Sequence, residues 1–321
     1  MPSTGQRKVS SAVQPKPEDY PFDLDRALQS VVGLRAVIPA DAFTAQTLGT
    51  ERAGHGVLIG ERGLILTVGY LITEAQEIWL HLSDGRAVPG HALAVDAVTG
   101  FGLVQALSPV DLPSLPLGNS SGTETGDRVI VAGAGGRMRA VAARIAAKQE
   151  FAGYWEYVLE EAIFTAPSHP NWGGTAMIGP DGSLLGIGSL QLEASEGKDI
   201  NMVIPIDLLK PVLEDLVKTG NRPGPVRPWL GLYVAESEDH LVVMGLAENG
   251  PADEAGLETG DVILAVDNMS ISGLSDLFRK IWSFGHAGAE VPVTVERDGQ
   301  TIDLIVKSAN RQSLLKAPRL H

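Results

Sequence analysis

The stretch Gly54-His55-Gly56-Val57-Leu58-Ile59-Gly60-Glu61-Arg62-Gly63-Leu64-Ile65-Leu66-Thr67 decides how the first two-thirds of the chain is read. Two short apolar runs, Val57–Ile59 and Leu64–Thr67, are separated by a polar, glycine-bounded turn. That is a strand, a turn and a strand. The same alternation recurs outward at Ile78–Leu82, Leu103–Leu107, Val129–Ala132, Ala176–Ile178, Leu184–Ile187 and Met202–Ile204. Ser83-Asp84-Gly85 and Pro180-Asp181-Gly182 supply turn signals between them. From Gly54 to Pro205 the spacing therefore predicts an all-β sandwich or a pair of barrels. On the N-terminal side, residues 1–21 read as a loosely attached arm. Leu24, Ala27, Leu28, Val31, Val32 and Leu34 then predict a short helix within Asp23–Ala36. On the C-terminal side, Ile206–Val217 predicts an amphipathic helix with Ile206, Leu209, Leu213 and Leu216 on one face.

A Gly- and Pro-rich segment over 218–228 reads as a linker. Beyond it the pattern runs strand, strand, turn, strand, helix, strand, strand to Ser308, a second domain in a chain of 321 residues. Residues 226–309 hold 14 acidic and 5 basic side chains, so most of the net charge of −14 lies there. A balance of that sign argues against nucleic-acid or anionic-membrane partners. There are no cysteines, which excludes disulfides, thiol nucleophiles and thiolate zinc sites. Seven histidines without ligand spacing give no reason to expect a metal, and no motif calls for a cofactor. No apolar run has the length of a membrane span. Arg7 and Lys8 are followed by no apolar stretch. Read from Met1 the expectation is a cytoplasmic protein, and a periplasmic one if the true start lies elsewhere.

Several motifs resemble the HtrA/Deg-type serine proteases. Gly54–Ile59 and Gly63–Thr67 are similar to that family's opening strands. Leu115-Pro116-Leu117-Gly118-Asn119-Ser120, then Gly126-Asp127 and Val129–Gly133, resembles its next landmark. Gly173-Gly174 and Gly179–Ile187 resemble the segment after its nucleophile, and residues 229–309 resemble its PDZ domain. The resemblance implies a mostly β chain, a chymotrypsin-like double β-barrel followed by a PDZ domain. Its parts would be an arm and short helix (1–45), a trypsin-like domain (46–217), a linker (218–228), the PDZ domain (229–309) and a tail (310–321).

At the positions that carry catalysis in the family, this chain differs. Tyr70 stands at the histidine position, and a phenol titrating near ~10 is a poor proton acceptor. Gly100 stands where the carboxylate would orient that base, and Trp172 where the nucleophilic hydroxyl would be. Pro170, two before it, has no N–H to give an oxyanion. The expectation is a dismantled peptidase site with no catalytic residue. Of the nearby histidines, His55, His81 and His91 read as turn or strand residues, and His169 alone has a claim on the cleft. Tyr70 and Trp172 read as packing that fills the cleft, or as the lining of a retained peptide or small-ligand groove. The aromatic concentration Phe151, Tyr154, Trp155, Tyr157 reads as a hydrophobic hairpin packed on the barrel, or as a partner surface.

In the PDZ-like segment, Leu230, Gly231 and Leu232 fall in the carboxylate-binding loop and the strand beside the groove. Backbone amides there would capture a peptide C-terminus. Leu277 and Ile281, four apart on a helix beginning at Ser272 or Gly273, would share the groove face or belong to the core. The leading expectation is an inactive HtrA-like protein that binds protein or peptide C-termini as a scaffold, adaptor or chaperone. The resemblance also implies the family's usual homotrimer. The alternatives are an active serine endopeptidase of protein quality control and a small-ligand sensor built on the aromatic cleft.

Overall fold

The computed structural model describes residues 8–194, 197–237 and 240–317. Among these, the first unit comprises residues 8–149, those within Glu161–Arg222, and 316–317, and the second comprises Glu150–Glu160 with those within Pro223–Leu315.

The first unit is built on two closed six-stranded barrels, as expected. One holds β1 (Val31–Val37), β2 (Glu51–Leu58), β3 (Leu64–Val68), β4 (Glu77–His81), β5 (Ala87–Val95) and β6 (Phe101–Ala106), in the order β1-β2-β3-β6-β5-β4. The other holds β7 (Arg128–Ala132), β8 (Ala140–Gly153), β9 (Tyr157–Ala166), β10 (Ala176–Ile178), β11 (Leu184–Ala194) and β12 (Lys198–Pro205), in the order β10-β11-β12-β9-β8-β7. Closure leaves no unpaired sheet edge. Strands of both barrels are buried on both faces. Ile65, Leu66, Leu80, Leu103 and Val104 are fully buried in the first, and Ile130, Ile163, Met177, Ile187 and Val203 in the second. Burying each such side chain stabilises the fold by about 1.5–3 kcal/mol.

Three local expectations are corrected. The helix expected within Asp23–Ala36 is only α1 (Leu24–Leu28), capped by the Asp23 carboxylate on the Arg26 N–H. The β-branched pair Val31-Val32 instead enters β1, which hydrogen-bonds β2 on one side and β4 on the other. Barrel closure therefore overrides the helical spacing. The arm is not loose over its described part: Val9 packs among Val129, Val131 and Ile145 inside the second barrel. Finally, Ile206–Val217 is not one helix. A single 3-10 turn, Ile206–Leu208, precedes α2 (Leu213–Thr219). Pro211 lies between them, with no N–H to donate to a continuous ladder.

The second unit contains a sheet of β13 (Leu232–Ser237), β14 (His240–Leu246), β15 (Val262–Val266), β16 (Met269–Ser270), β17 (Glu290–Arg297) and β18 (Gln300–Lys307). Its main path is β13-β14-β15-β17-β18, so β13 is an edge. A short helix, α3 (Pro251–Glu254), and a longer one, α4 (Leu274–Ser283), complete it. Leu274 N–H donates to the Glu236 carboxylate at 2.7 Å, and the Asp276 carboxylate accepts from Ser272, which fixes the start of α4. Leu277, Phe278 and Ile281 point into the core with Leu230, Leu232, Val234, Val293 and Val306.

Candidate functional site

Tyr70 lies on the 3-10 turn Gly69–Leu71 that follows β3. Its hydroxyl donates to the Ser189 carbonyl at 2.9 Å. Burial pushes the phenol above its ordinary 10, partly offset by a hydrogen bond from the Trp172 side chain. An indole offers only a donor, so the Tyr70 oxygen accepts from Trp172 while giving its own proton to Ser189. A group so placed holds its proton throughout the working range of a protease. The Trp172 carbonyl accepts from Thr175 N–H at 3.1 Å and from Thr175 Oγ1 at 2.8 Å. Gly173 is held beside it by the His55 N–H at 2.9 Å.

The next residue, Gly174, has φ +80, and a Cβ there would stand 1.9 Å from the His55 carbonyl oxygen. The turn after Trp172 thus requires glycine.

Gly100 has φ +85 and closes a turn in which its N–H reaches the Asp96 carbonyl at 2.7 Å. Its own carbonyl accepts from Gly69 N–H at 2.7 Å, beside Tyr70. The carboxylate nearest in sequence, Asp96, is turned to other work. It binds Thr99 Oγ1 at 2.7 Å and Arg222 at 2.7 Å. The fold therefore brings Tyr70, Gly100, Pro170 and Trp172 to one region.

The two buried histidines are committed to backbone. Ala134 N–H donates to His55 Nδ1 at 3.1 Å, so the His55 proton sits on Nε2, which has no hydrogen-bond partner. Burial first, and then the neighbouring His169, lower the His55 pKa to about 3. The rings meet edge to face at 6.1 Å. His169 Nε2 lies 2.9 Å from the Arg139 carbonyl, and its Nδ1 accepts from Asn171 N–H at 3.1 Å, which together describe a neutral ring. Burial lowers its pKa as well. Around these groups lies an open concavity of about 1090 Å³, lined among others by His55, Tyr70, His81, Arg139, Pro170 and Trp172. Tyr70 and Trp172 line this concavity and leave it open. Among the described residues no group of three His, Asp or Glu is placed to hold a metal ion.

In the second unit, the backbone N–H groups of Leu230, Gly231 and Leu232 converge on one point. Gly231 has φ +80, which allows the loop to turn its amides inward. All three donate to the Glu156 carboxylate, from Gly231 at 2.7 Å, Leu232 at 3.0 Å and Leu230 at 3.1 Å to either oxygen. Burial raises the Glu156 pKa to about 7, against the three amides and Arg311, which favour the anion. Glu156 itself has φ +62, a left-handed backbone unusual outside glycine.

It stands at the tip of the β8–β9 hairpin. Two residues away, the Tyr154 carbonyl accepts from Val234 N–H at 3.0 Å on the edge strand β13. Here the register of β13 against β14 shifts between Tyr233 and Val234. Val158 is buried among the core residues of this unit, which include Leu277 and Ile281. The expected groove residues Leu230, Gly231, Leu232, Leu277 and Ile281 thus cluster, in contact with a hairpin that sequence reasoning assigned to the barrel. The aromatic run had marked the hairpin, with Trp155 stacked on Tyr157 at 5.6 Å. Nothing marked Glu156.

A trypsin-like peptidase domain model matches residues 54–187, and a PDZ domain model matches residues 228–307. A probable periplasmic serine endoprotease DegP-like protein of Hahella chejuensis is 28% identical over 80% of this chain and 57% of its own length. The chain thus spans under two-thirds of that relative. The serine endoprotease DegS of Salmonella typhimurium is 24% identical over 94% of this chain and 90% of its own.

Among solved structures, the HtrA-type protease AlgW with tripeptide aligns at a TM-score of 0.53 and 24% identity, covering 95% of this chain and 99% of that one. A serine endoprotease from Yersinia pestis aligns at 0.53 and 24%, covering 92% and 98%. Among the described residues no helix is long and apolar enough to cross a membrane. Two barrels and the matched models make the chain a trypsin-like peptidase domain followed by one PDZ domain, similar in fold to HtrA-type proteases.

Proposed function

We propose that the chain is a catalytically inactive HtrA-like protein that binds protein or peptide C-termini through its PDZ domain, as a scaffold, adaptor or chaperone. The observation that carries this is the bond from Tyr70 to the Ser189 carbonyl. At the position of the general base stands a protonated donor, already spent on the backbone. Trp172 at the nucleophile position has no hydroxyl to acylate, and Pro170 has no N–H for an oxyanion. Both buried histidines have ring nitrogens engaged by backbone groups. The peptide-binding half rests on the three convergent amides of Leu230–Leu232, a geometry that suits a carboxylate.

The competing reading, an active endopeptidase of protein quality control, draws on the names its relatives carry. A casein digestion assay on the purified chain, run beside a C-terminal peptide array in free-acid and amidated forms, tests both halves. The proposal expects intact casein and binding confined to free acids. Casein turnover that survives repurification would overturn the inactive reading. Equal binding of amidated peptides would overturn the other half.

A further inference from the structure

The three amides of the carboxylate-binding loop are already satisfied. They are filled by an acidic side chain belonging to a different element, 74 to 76 residues away in sequence. Four observations show that this occupancy is built. The carboxylate is buried. The Glu156 backbone takes the left-handed conformation, which a non-glycine residue adopts at a cost.

The neighbouring Tyr154 carbonyl takes the edge amide of Val234, where an incoming peptide strand would bond. Val158 supplies an aliphatic side chain to the same core as Leu230, Leu277 and Ile281. A carboxylate in the loop, a backbone bond to the edge strand and an apolar side chain beside the helix are the elements of a bound peptide terminus. At the base of the tip, Glu150 pairs with Arg279 on α4.

We propose that the hairpin tip Phe151–Val158 is an internal ligand of the PDZ site, with the Glu156 side-chain carboxylate standing in for a peptide's terminal carboxylate, so that external C-termini bind by displacing it. This rests on the reading that the domain binds C-termini. The external ligand class follows from what it must replace: a free terminal carboxylate with an apolar, branched side chain close to it. A peptide lacking either would leave the tip in place. Apparent affinity is then the intrinsic affinity reduced by the fraction of time the loop is open.

The probe is a fluorescein-labelled pool of short peptides with randomised interiors and a C-terminal valine, together with its amidated copy. It is titrated into the full chain, into Glu156→Ala and into Glu156→Gln. The free-acid pool is expected to bind Glu156→Ala at least about tenfold more tightly than wild type, as for a site closed about nine-tenths of the time. Glu156→Gln, which keeps one acceptor and the volume, should fall between. In the wild-type chain, hydrogen exchange over residues 151–158 should accelerate when the free-acid pool is added at saturation. This second readout needs no variant and stands even if Glu156→Ala folds poorly.

Unchanged affinity in Glu156→Ala, or saturation of wild type with no loss of protection at the tip, would overturn the internal-ligand proposal while leaving C-terminal binding intact. If no free-acid peptide binds any of the three chains, C-terminal binding itself is overturned, and the internal ligand with it.

Discussion

Tyr70 gives its phenolic proton to the backbone carbonyl of Ser189 at 2.9 Å. The bond joins the turn after β3 to strand β11, so it is a structural bond in the interior of the peptidase-like domain. Removing the hydroxyl leaves a carbonyl without that donor, at a cost of about 1–2 kcal/mol. Tyr70→Phe should therefore lower the unfolding free energy obtained from urea melts by that much. Binding of C-terminal peptides should not change, which a paired denaturation and fluorescence titration will check.

A second prediction concerns acid. Glu74 accepts from Phe43 N–H at 3.1 Å, Thr44 N–H at 2.7 Å, Thr44 Oγ1 at 2.6 Å and Lys316 N–H at 2.9 Å. Burial alone would raise its pKa, but these donors outweigh burial and hold the carboxyl below its ordinary 4.5. A depressed folded pKa contributes stability that is present above the unfolded value and is lost as pH falls through the folded one. Wild type should lose stability below about pH 4.5 more steeply than Glu74→Gln. Glu74→Ala should lose about 2–4 kcal/mol at neutral pH because four donors go unmet. Thermal melts from pH 3 to pH 7 measure both.

The sign is reversed for Glu156. Its pKa in the docked tip, about 7, lies above the ordinary 4.5 because burial penalises the anion. The docked state therefore holds a proton that the released tip gives up, and its stability falls as pH rises from about 4.5 towards 7. Arg311 is the charged group acting on it, and it favours the anion. A peptide's terminal carboxyl titrates near ~3.5 and stays ionised throughout. Free-acid peptides should bind more tightly at pH 7.5 than at pH 5 in wild type, and with a flat profile in Glu156→Ala.

The proposed loss of the triad predicts what supplying its groups would do. Tyr70→His, Gly100→Asp and Trp172→Ser together place a base, an orienting carboxylate and a nucleophile, but Pro170 still withholds an oxyanion donor. The triple variant should hydrolyse casein weakly. Adding Pro170→Gly should raise the rate by about 10²–10³, the usual worth of one such donor. Gly100→Asp also places a side chain at φ +85, so part of any shortfall will be strain.

Much of this was legible in the chain. Val57–Ile59, Leu64–Thr67 and Ala176–Ile178 alternate cleanly enough to be read as strands, and the Pro251–Val266 stretch reads as helix, turn and strand. What escaped were elements whose identity depends on partners. Val31-Val32 carries helical spacing and becomes a strand because β2 and β4 flank it. The β8–β9 hairpin showed in its aromatics, yet local pattern does not reveal what a tip docks against. Glu156 gave no signal because a single glutamate in a turn looks solvated; its role arises only where Gly231 presents its amide across a long stretch of sequence. His55 and His169 were legible as residues, but their commitment to Ala134 and Arg139 is a product of folding.

The most direct measurement is fluorophosphonate labelling of the purified chain, followed by intact mass. On the proposed reading, in which Trp172 stands at the nucleophile position, the expected result is an unmodified mass at all reagent concentrations that fully label a trypsin control. A single heat-sensitive adduct, mapped to any serine of the peptidase-like domain, would contradict the inactive reading.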